Sequence, residues 1–365
     1  MPRILLLTLL IPLAGTATRA QTQNEPAAPV NDAYQGAWDA GTLNQSNLFW
    51  NARNSAVDAP VATRFATFRI TRNASLATNS GQLPEADRRQ LESIAEDIET
   101  AAPGSFEAGL ATYYLEFPAP ASHEALAQAV TVGPDRPEVF GPALGDALRR
   151  GDAAGQQRWA KALLDRGAPD PALLDWAHDL LTSTAPNAVL LTAGEMDTYT
   201  ALALQQARGV RGDVQLVDLR MLGDREYRER LWKTYGKGAV PGDGPDFARR
   251  LAAAGNRPVL LSPALPTSWA KALARELYPA GLALRLSPTP YDPVPELAAT
   301  WPKLRKNMRA GPLARNYLPA GALLLEHYRA TGQEEKAAAL EHELRTLATA
   351  IGALPRLYET GVLKH

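Results

Sequence analysis

From residue 61 to residue 181 apolar side chains recur every three or four positions, in blocks separated by proline and glycine. Val61 to Leu76, Glu85 to Thr100, Ser105 to Leu115, Ser122 to Val130, Pro137 to Arg149, Ala153 to Leu164 and Pro171 to Leu181 each read as an amphipathic helix. Phe65, Phe68 and Ile70 with Leu91, Ile94 and Ile98 show the spacing that gathers apolar groups on one helical face. Breaks fall at Pro84, Pro103-Gly104, Pro118 to Pro120, Pro134, Gly151 and Gly167 to Pro171, where helix pairs would turn. Pro103 to Arg136 and Pro137 to Asp170 each approach the ~34 residues of a tetratricopeptide repeat. The match is loose, so the expectation is a helical-repeat-like half whose stripes are core, rather than a regular superhelix with a peptide groove.

The period then changes. Ala188 to Thr192, Val214 to Asp218, Pro258 to Ser262 and Ala283 to Leu286 are short apolar runs of strand length. Helical patterns lie between or beside them at Thr198 to Arg208, Arg225 to Tyr235, Asp246 to Ala254 and Ser268 to Tyr278. Such alternation predicts a small, mostly parallel three-layer α/β module with right-handed crossovers, and the Gly- and Pro-rich stretch from Gly236 to Pro245 reads as a surface loop. Gly194 permits a reversal after the first strand, Asp197 or Thr198 can cap the following helix, and Gly209 and Gly212 end it. Toward the C-terminus, Leu324, Tyr328, Gly332 and Ala337 occupy the large, aromatic, turn and small positions of one tetratricopeptide-like helical hairpin. The fold class is therefore α/β with a large all-α part, divided into a helical domain over residues 32–185, an α/β module over residues 186–290 and C-terminal helices over residues 291–365.

Parallel strands direct ligands to their carboxyl ends, where helix N-termini expose backbone N–H groups. Thr192, Gly194, Glu195, Asp197, Thr198, Asp218, Arg220, Ser262 and Ser287 are placed at that edge by the strand assignment, and all but Ser287 form the candidate ligand-binding set. Each also has a plainer reading. Glu195 and Asp197, two positions apart in a capping turn, suit a helix N-terminus and its dipole better than an acid and base, and Asp218 beside Arg220 suits an ordinary ion pair. No catalytic residue is assigned. Ala193-Gly194-Glu195 lacks the spaced glycines of a dinucleotide site, and Gly236-Lys237-Gly238 lacks the Lys-Ser/Thr ending of a phosphate loop, so no cofactor is expected. His123, His178, His327, His342 and His365 are too dispersed for a zinc site, Ser262-Pro263 does not build a nucleophile elbow, and no metal is expected. Arg249-Arg250 and Lys303 to Arg309 read as solvated helix faces.

The order of these elements carries a resemblance. Gly194, Asp197, Thr198 and Tyr199, followed by Arg211, Asp213, Val214, Val217, Asp218 and Leu219, are similar to a strand, G-D-N-D-T-F, helix, R-x-D-V-x-V-V-N-L-S sequence. That sequence occurs in the soluble C-terminal part of bacterial protein O-mannosyltransferase-like membrane glycosyltransferases. Glu195, Met196 and Asp218 depart from it. Arg257-Pro-Val-Leu-Leu-Ser, Gly281-Leu-Ala-Leu-Arg-Leu-Ser-Pro, Asn316-Tyr317 and Tyr328 to Ala339 continue the resemblance through the second half of the chain. In that family the sugar-transferring chemistry lies in a membrane domain with no counterpart here, so the resemblance implies an accessory portion without the catalytic one.

Composition then narrows the setting. Ile4 to Ala14 is too short for a membrane span of ~20 residues. With Arg3 before it and Thr18-Arg19-Ala20 after it, residues 1–20 read as a signal peptide cut before Gln21, and residues 21–31 as a flexible leader. An exported, periplasmic or secreted protein without its own transmembrane span is expected. Cysteine is absent, which excludes disulfides, thiolate nucleophiles and lipobox attachment. Removing Arg3 and Arg19 with the first segment takes the formal charge from -1 to -3, and no case for nucleic acid arises. The reading is a non-catalytic interaction or scaffold protein of the cell envelope, accessory to a membrane glycosyltransferase or secretion system, with an envelope protein or glycan as partner. The alternative is a carbohydrate-active enzyme with Glu195 and Asp197 or Asp218 as paired carboxylates across a cleft.

Overall fold

The computed structural model describes residues 59–79, 82–166 and 169–364. The expected signal segment, the leader and the first part of the expected helical domain, residues 32–58, lie outside them. Among the described residues, eight elements of the all-α part precede the sheet: α1 (Ala59–Thr78), α2 (Glu85–Ala101), α3 (Phe106–Glu116), α4 (Pro120–Val132), a 3-10 turn (Pro137–Val139), α5 (Phe140–Arg150), α6 (Ala153–Asp165) and α7 (Pro171–Thr182). Their starts follow from local chemistry. Ser105, Asp152 and Asp170 each accept a hydrogen bond from a backbone N–H in the first turn of α3, α6 and α7, and Pro171 pre-sets its own backbone angle at the first position of α7. Between α5 and α6 the chain reverses through Gly151, which adopts the left-handed conformation at φ +72°.

The sheet follows: β1 (Val189–Thr192), α8 (Glu195–Arg208), β2 (Gln215–Asp218), a 3-10 turn (Leu219–Met221), α9 (Arg225–Tyr235), α10 (Pro245–Ala254), β3 (Val259–Leu261), α11 (Thr267–Leu273), β4 (Leu277–Ala280) and β5 (Ala283–Leu286). The strand order is β2-β1-β3-β5-β4. β1 pairs parallel with both β2 and β3, while β5 pairs antiparallel with β3 and with β4. Four of the five strands thus share a direction, but the sheet is mixed because β5 returns by a hairpin.

That hairpin is where the sequence reading and the structure part. The helical pattern from Ser268 to Tyr278 gives only α11, which stops at Leu273; Leu277–Ala280 is a strand. The stretch gains more by pairing with β5 and burying Tyr278 and Ala280 than by continuing as a helix. Gly281, at φ +68°, makes the tight turn, and a Cβ there would lie 2.4 Å from Ser183 Oγ, which instead accepts the Leu282 N–H at 2.7 Å.

The chain closes with α12 (Val294–Thr300), 3-10 segments (Trp301–Lys303 and Met308–Tyr317), α13 (Leu318–Ala330), α14 (Glu334–Ala350) and α15 (Leu354–Glu359). The basic run from Lys303 to Arg309 is not a helix face. Its backbone folds onto buried Asp179 of α7, which accepts the N–H groups of Arg305 and Lys306 at 3.0 and 2.9 Å and the Tyr317 hydroxyl at 2.8 Å. A chain that bends around a fixed carboxylate satisfies buried backbone donors that a solvated helix would have satisfied internally. α13 and α14 form the expected hairpin, turning through Gly332 at φ +70° with Leu324 and Ala337 buried between them. One continuous apolar core includes Phe68 and Ile98, Trp176, Leu190 and Leu260, and Leu325 and Leu344.

Candidate functional site

β1 ends at Thr192 and α8 begins three residues later, so the carboxyl end of the central strand feeds a helix N-terminus. The N-cap is Gly194, not Asp197 or Thr198, and it lies in extended backbone at φ -149°. Asp197 occupies the third helical position and reaches back, accepting the N–H of Ala193 at 2.9 Å and of Gly194 at 2.7 Å. The Gly194 N–H is a donor that the helix start leaves without an internal partner, the Ala193 N–H belongs to the turn before it, and a carboxylate also suits the positive end of the helix. Burial is the chief influence on Asp197 and pushes its carboxyl above the ordinary 3.8, against hydrogen bonds from Ser262 and the two amides. Thr198 is no cap; its hydroxyl donates to Thr192 Oγ1 at 2.8 Å, and Thr192 donates onward to the Val217 carbonyl at 3.3 Å, fastening α8 to β1 and β2.

Glu195, the first residue of α8, points elsewhere. Its Oε1 lies 2.6 Å from Arg72 Nη2 on α1 and 3.8 Å from Arg220 Nη1. Arg220 stands on the 3-10 turn after β2 and grips Asp218, with Nη2 2.6 Å and Nε 3.0 Å from the carboxylate oxygens. Asp218 also takes the Arg220 backbone N–H at 2.9 Å, so the pair is an Asx-type turn as well as a salt bridge. Aromatic rings wrap the cations: Arg72 stacks over Tyr114 at 4.3 Å, and Arg220 over Phe117 and Tyr199 at 5.0 and 5.6 Å. Tyr113 and Tyr199 hydroxyls meet at 3.3 Å. Burial drives both phenols up, Tyr199 to about 12, so they stay protonated. Burial works against the Arg220 charge, yet Asp218, Tyr199 and Glu195 raise its pKa above the ordinary value.

Eight of the nine strand-end residues thus come together. Ser262, the residue after β3, stands beside Asp197. Ser287 does not join them: β5 runs antiparallel to β3, so its carboxyl end is at the opposite edge, where the Ser287 N–H bonds the Glu276 carbonyl at 2.9 Å. Glu195, Asp197 and Asp218 are at most 2% exposed. Each carboxylate is engaged by a guanidinium or by backbone amides, and reaching Glu195 requires displacing the α1 side chain that holds it. The partners the sequence did not offer are Arg72, Tyr113, Tyr114 and Phe117, separated from Glu195 by up to 123 positions. No local pattern marks them: Arg72, Tyr113 and Tyr114 sit within ordinary helical stretches, and Phe117 follows the end of α3. Among the described residues no group of three His, Cys, Asp or Glu gathers as a metal site requires.

A second concavity lies on the outer side of β2, where a cleft of about 440 Å³ opens between the α5–α6 junction, α8 and α9. Its lining includes Gln156, Gln205, Gln206, Gln215, Arg230 and Tyr235.

A family described as TMEM260-associated domain 2 matches residues 173–242, which run from α7 through β1, α8, β2 and α9 into the loop beyond. The domain is linked to TMEM260, an O-mannosyltransferase-like protein. The matched stretch contains Thr192 through Thr198, Asp218 and Arg220, and the whole outer edge of the sheet at β2. No curated protein and no solved structure matches the chain.

Proposed function

We propose that this chain is an exported, non-catalytic interaction protein of the cell envelope, accessory to a membrane glycosyltransferase or secretion system. The observation that carries the reading is the spent state of the strand-end cluster. Arg72, Arg220 and the Ala193 and Gly194 amides consume Glu195, Asp218 and Asp197, as a structural seam requires and as general acid–base chemistry, which needs a carboxyl within reach of substrate, does not. The likeness of residues 173–242 to a domain linked to an O-mannosyltransferase-like protein supports the association with glycosyl transfer. Among the described residues no helix is long and apolar enough to cross a membrane, which suits a role beside a membrane enzyme rather than as one.

The test is affinity capture by the tagged chain from envelope extract, with N-terminal sequencing of the purified protein. Recovery of a membrane glycosyltransferase or secretion component, and a first residue of Gln21, support the reading. Hydrolysis of a glycoside by the pure protein, lost in Glu195→Gln and Asp218→Asn variants that still fold, would instead make it an enzyme.

A further inference from the structure

We infer that the cleft beside β2 is a binding site for a neutral oligosaccharide. β2 is an edge strand, and an open edge invites an added peptide strand. Here the edge is closed by side chains. The Val214 carbonyl accepts from Gln205 Nε2 at 2.8 Å, the Leu216 carbonyl accepts from Gln215 Nε2 at 2.9 Å, and the Asp218 N–H donates to Tyr227 Oη at 3.0 Å. An extended peptide therefore finds two carbonyls and one N–H of the edge already taken.

What the cleft presents is uncharged hydrogen-bonding capacity. Among the described residues Arg230 is the single charged side chain of its lining, and its guanidinium donates to the carbonyls of Leu148 and Arg149 while lying over the Tyr227 ring. Among the described residues no carboxylate, lysine or histidine lines it, so a cation meets no counter-charge and an anion meets only a guanidinium whose N–H groups are already engaged. The amides are only partly used. Gln206 has no protein partner among the described residues; Gln205 donates both its bonds and keeps its carbonyl free; and Gln156 makes one long bond, to the Ala147 carbonyl at 3.4 Å. A primary amide offers a donor and an acceptor side by side, which matches neighbouring hydroxyls that each donate and accept. Leu231 at the edge of the cleft supplies a little apolar surface for the C–H face of a sugar ring, and the Tyr235 ring adds an aromatic wall whose hydroxyl bonds Gln215 Oε1 at 2.8 Å. The volume falls within the range of small-ligand pockets.

This inference rests on the reading of the chain as a binding protein associated with glycosyl transfer, and its test is separate. The full chain is titrated with maltotriose, cellotriose and chitotriose and followed by saturation-transfer NMR. Binding of at least one is expected, weakened roughly tenfold by Gln206→Ala, which removes an accessible amide, and by Thr234→Trp, which fills the mouth from an exposed position on α9. Three results overturn the proposal: no transfer to any of the three, binding undiminished in both variants, or displacement of the sugar by an uncharged Ser/Asn peptide that binds more tightly. Protein capture from extract that survives Thr234→Trp while sugar binding is absent sinks this inference and leaves the scaffold reading standing.

Discussion

At the scale of single residues the decisive group is Glu195. Removing one member of a buried ion pair leaves the other charge desolvated, so Glu195→Ala is expected to lower stability by about 3 kcal/mol or more in urea titration. Arg72→Met combined with Glu195→Leu should cost less than the two single changes together, because no charge is then stranded. An additive double variant would show that the two side chains do not depend on one another. Asp146 governs the acid side. Burial raises its carboxyl, but His123, Arg149 and Arg150 outweigh burial and hold it at about 2 against the ordinary 3.8. Its folded value is depressed, so its stabilisation is full above 3.8 and is lost as pH falls from 3.8 toward 2, by at most about 2 kcal/mol. Asp197 acts in the opposite sense: its folded value is raised, so the penalty on its ionised form fades as pH falls. Urea midpoints between pH 5 and pH 2 should drop less steeply in Asp146→Asn than in the wild type, and parallel curves would remove Asp146 from the account.

At the scale of elements, close approach sets the tolerances. A Cβ on Gly321 of α13 would come within 2.6 Å of Leu344 on α14 and 2.8 Å of the Trp301 ring. Gly321→Ala is expected to destabilise by about 1–3 kcal/mol despite its better helix propensity, since the Trp301 ring cannot yield as a flexible methyl can. A neutral or stabilising result in thermal unfolding would mean that the hairpin opens without cost. Tyr227→Phe withdraws the acceptor from the Asp218 N–H at the β2 edge and should cost about 1–3 kcal/mol, read as faster exchange of that amide. The helices were legible from apolar period and capping residues, with ends matching or displaced by up to three residues except at α11, which stops five residues short of the expected Tyr278. β4 was not, because Leu277–Ala280 is a strand by virtue of its pairing with β5.

At the scale of the whole molecule, α1 is joined to the α/β part through Arg72, and α8 packs against α5, α6 and α7. A chain lacking residues 1–79 should therefore show faster hydrogen exchange over residues 193–199, while residues 318–350, remote from α1, keep their protection. Unchanged exchange at the start of α8 would mean that Arg72 contributes nothing to holding it. The same organisation explains the candidate site. Thr192, Glu195, Asp197, Asp218 and Arg220 were legible as strand-end polar groups, but the capture of Glu195 by Arg72 of α1 was not, because that contact spans 123 positions.

The sequence by itself determined the helical blocks, the four runs that became β1, β2, β3 and β5, the strand-end position of the polar cluster and the absence of cysteine chemistry. These follow from the chain's own neighbours: period, caps, turn residues and composition act over a few positions. Only the tertiary structure decided that β5 reverses, carrying Ser287 to the far edge, that the basic run wraps Asp179, and that Glu195 answers to Arg72. Each of those depends on which distant side chain shares a buried, low-dielectric volume, where a polar group must find a partner wherever the fold brings one.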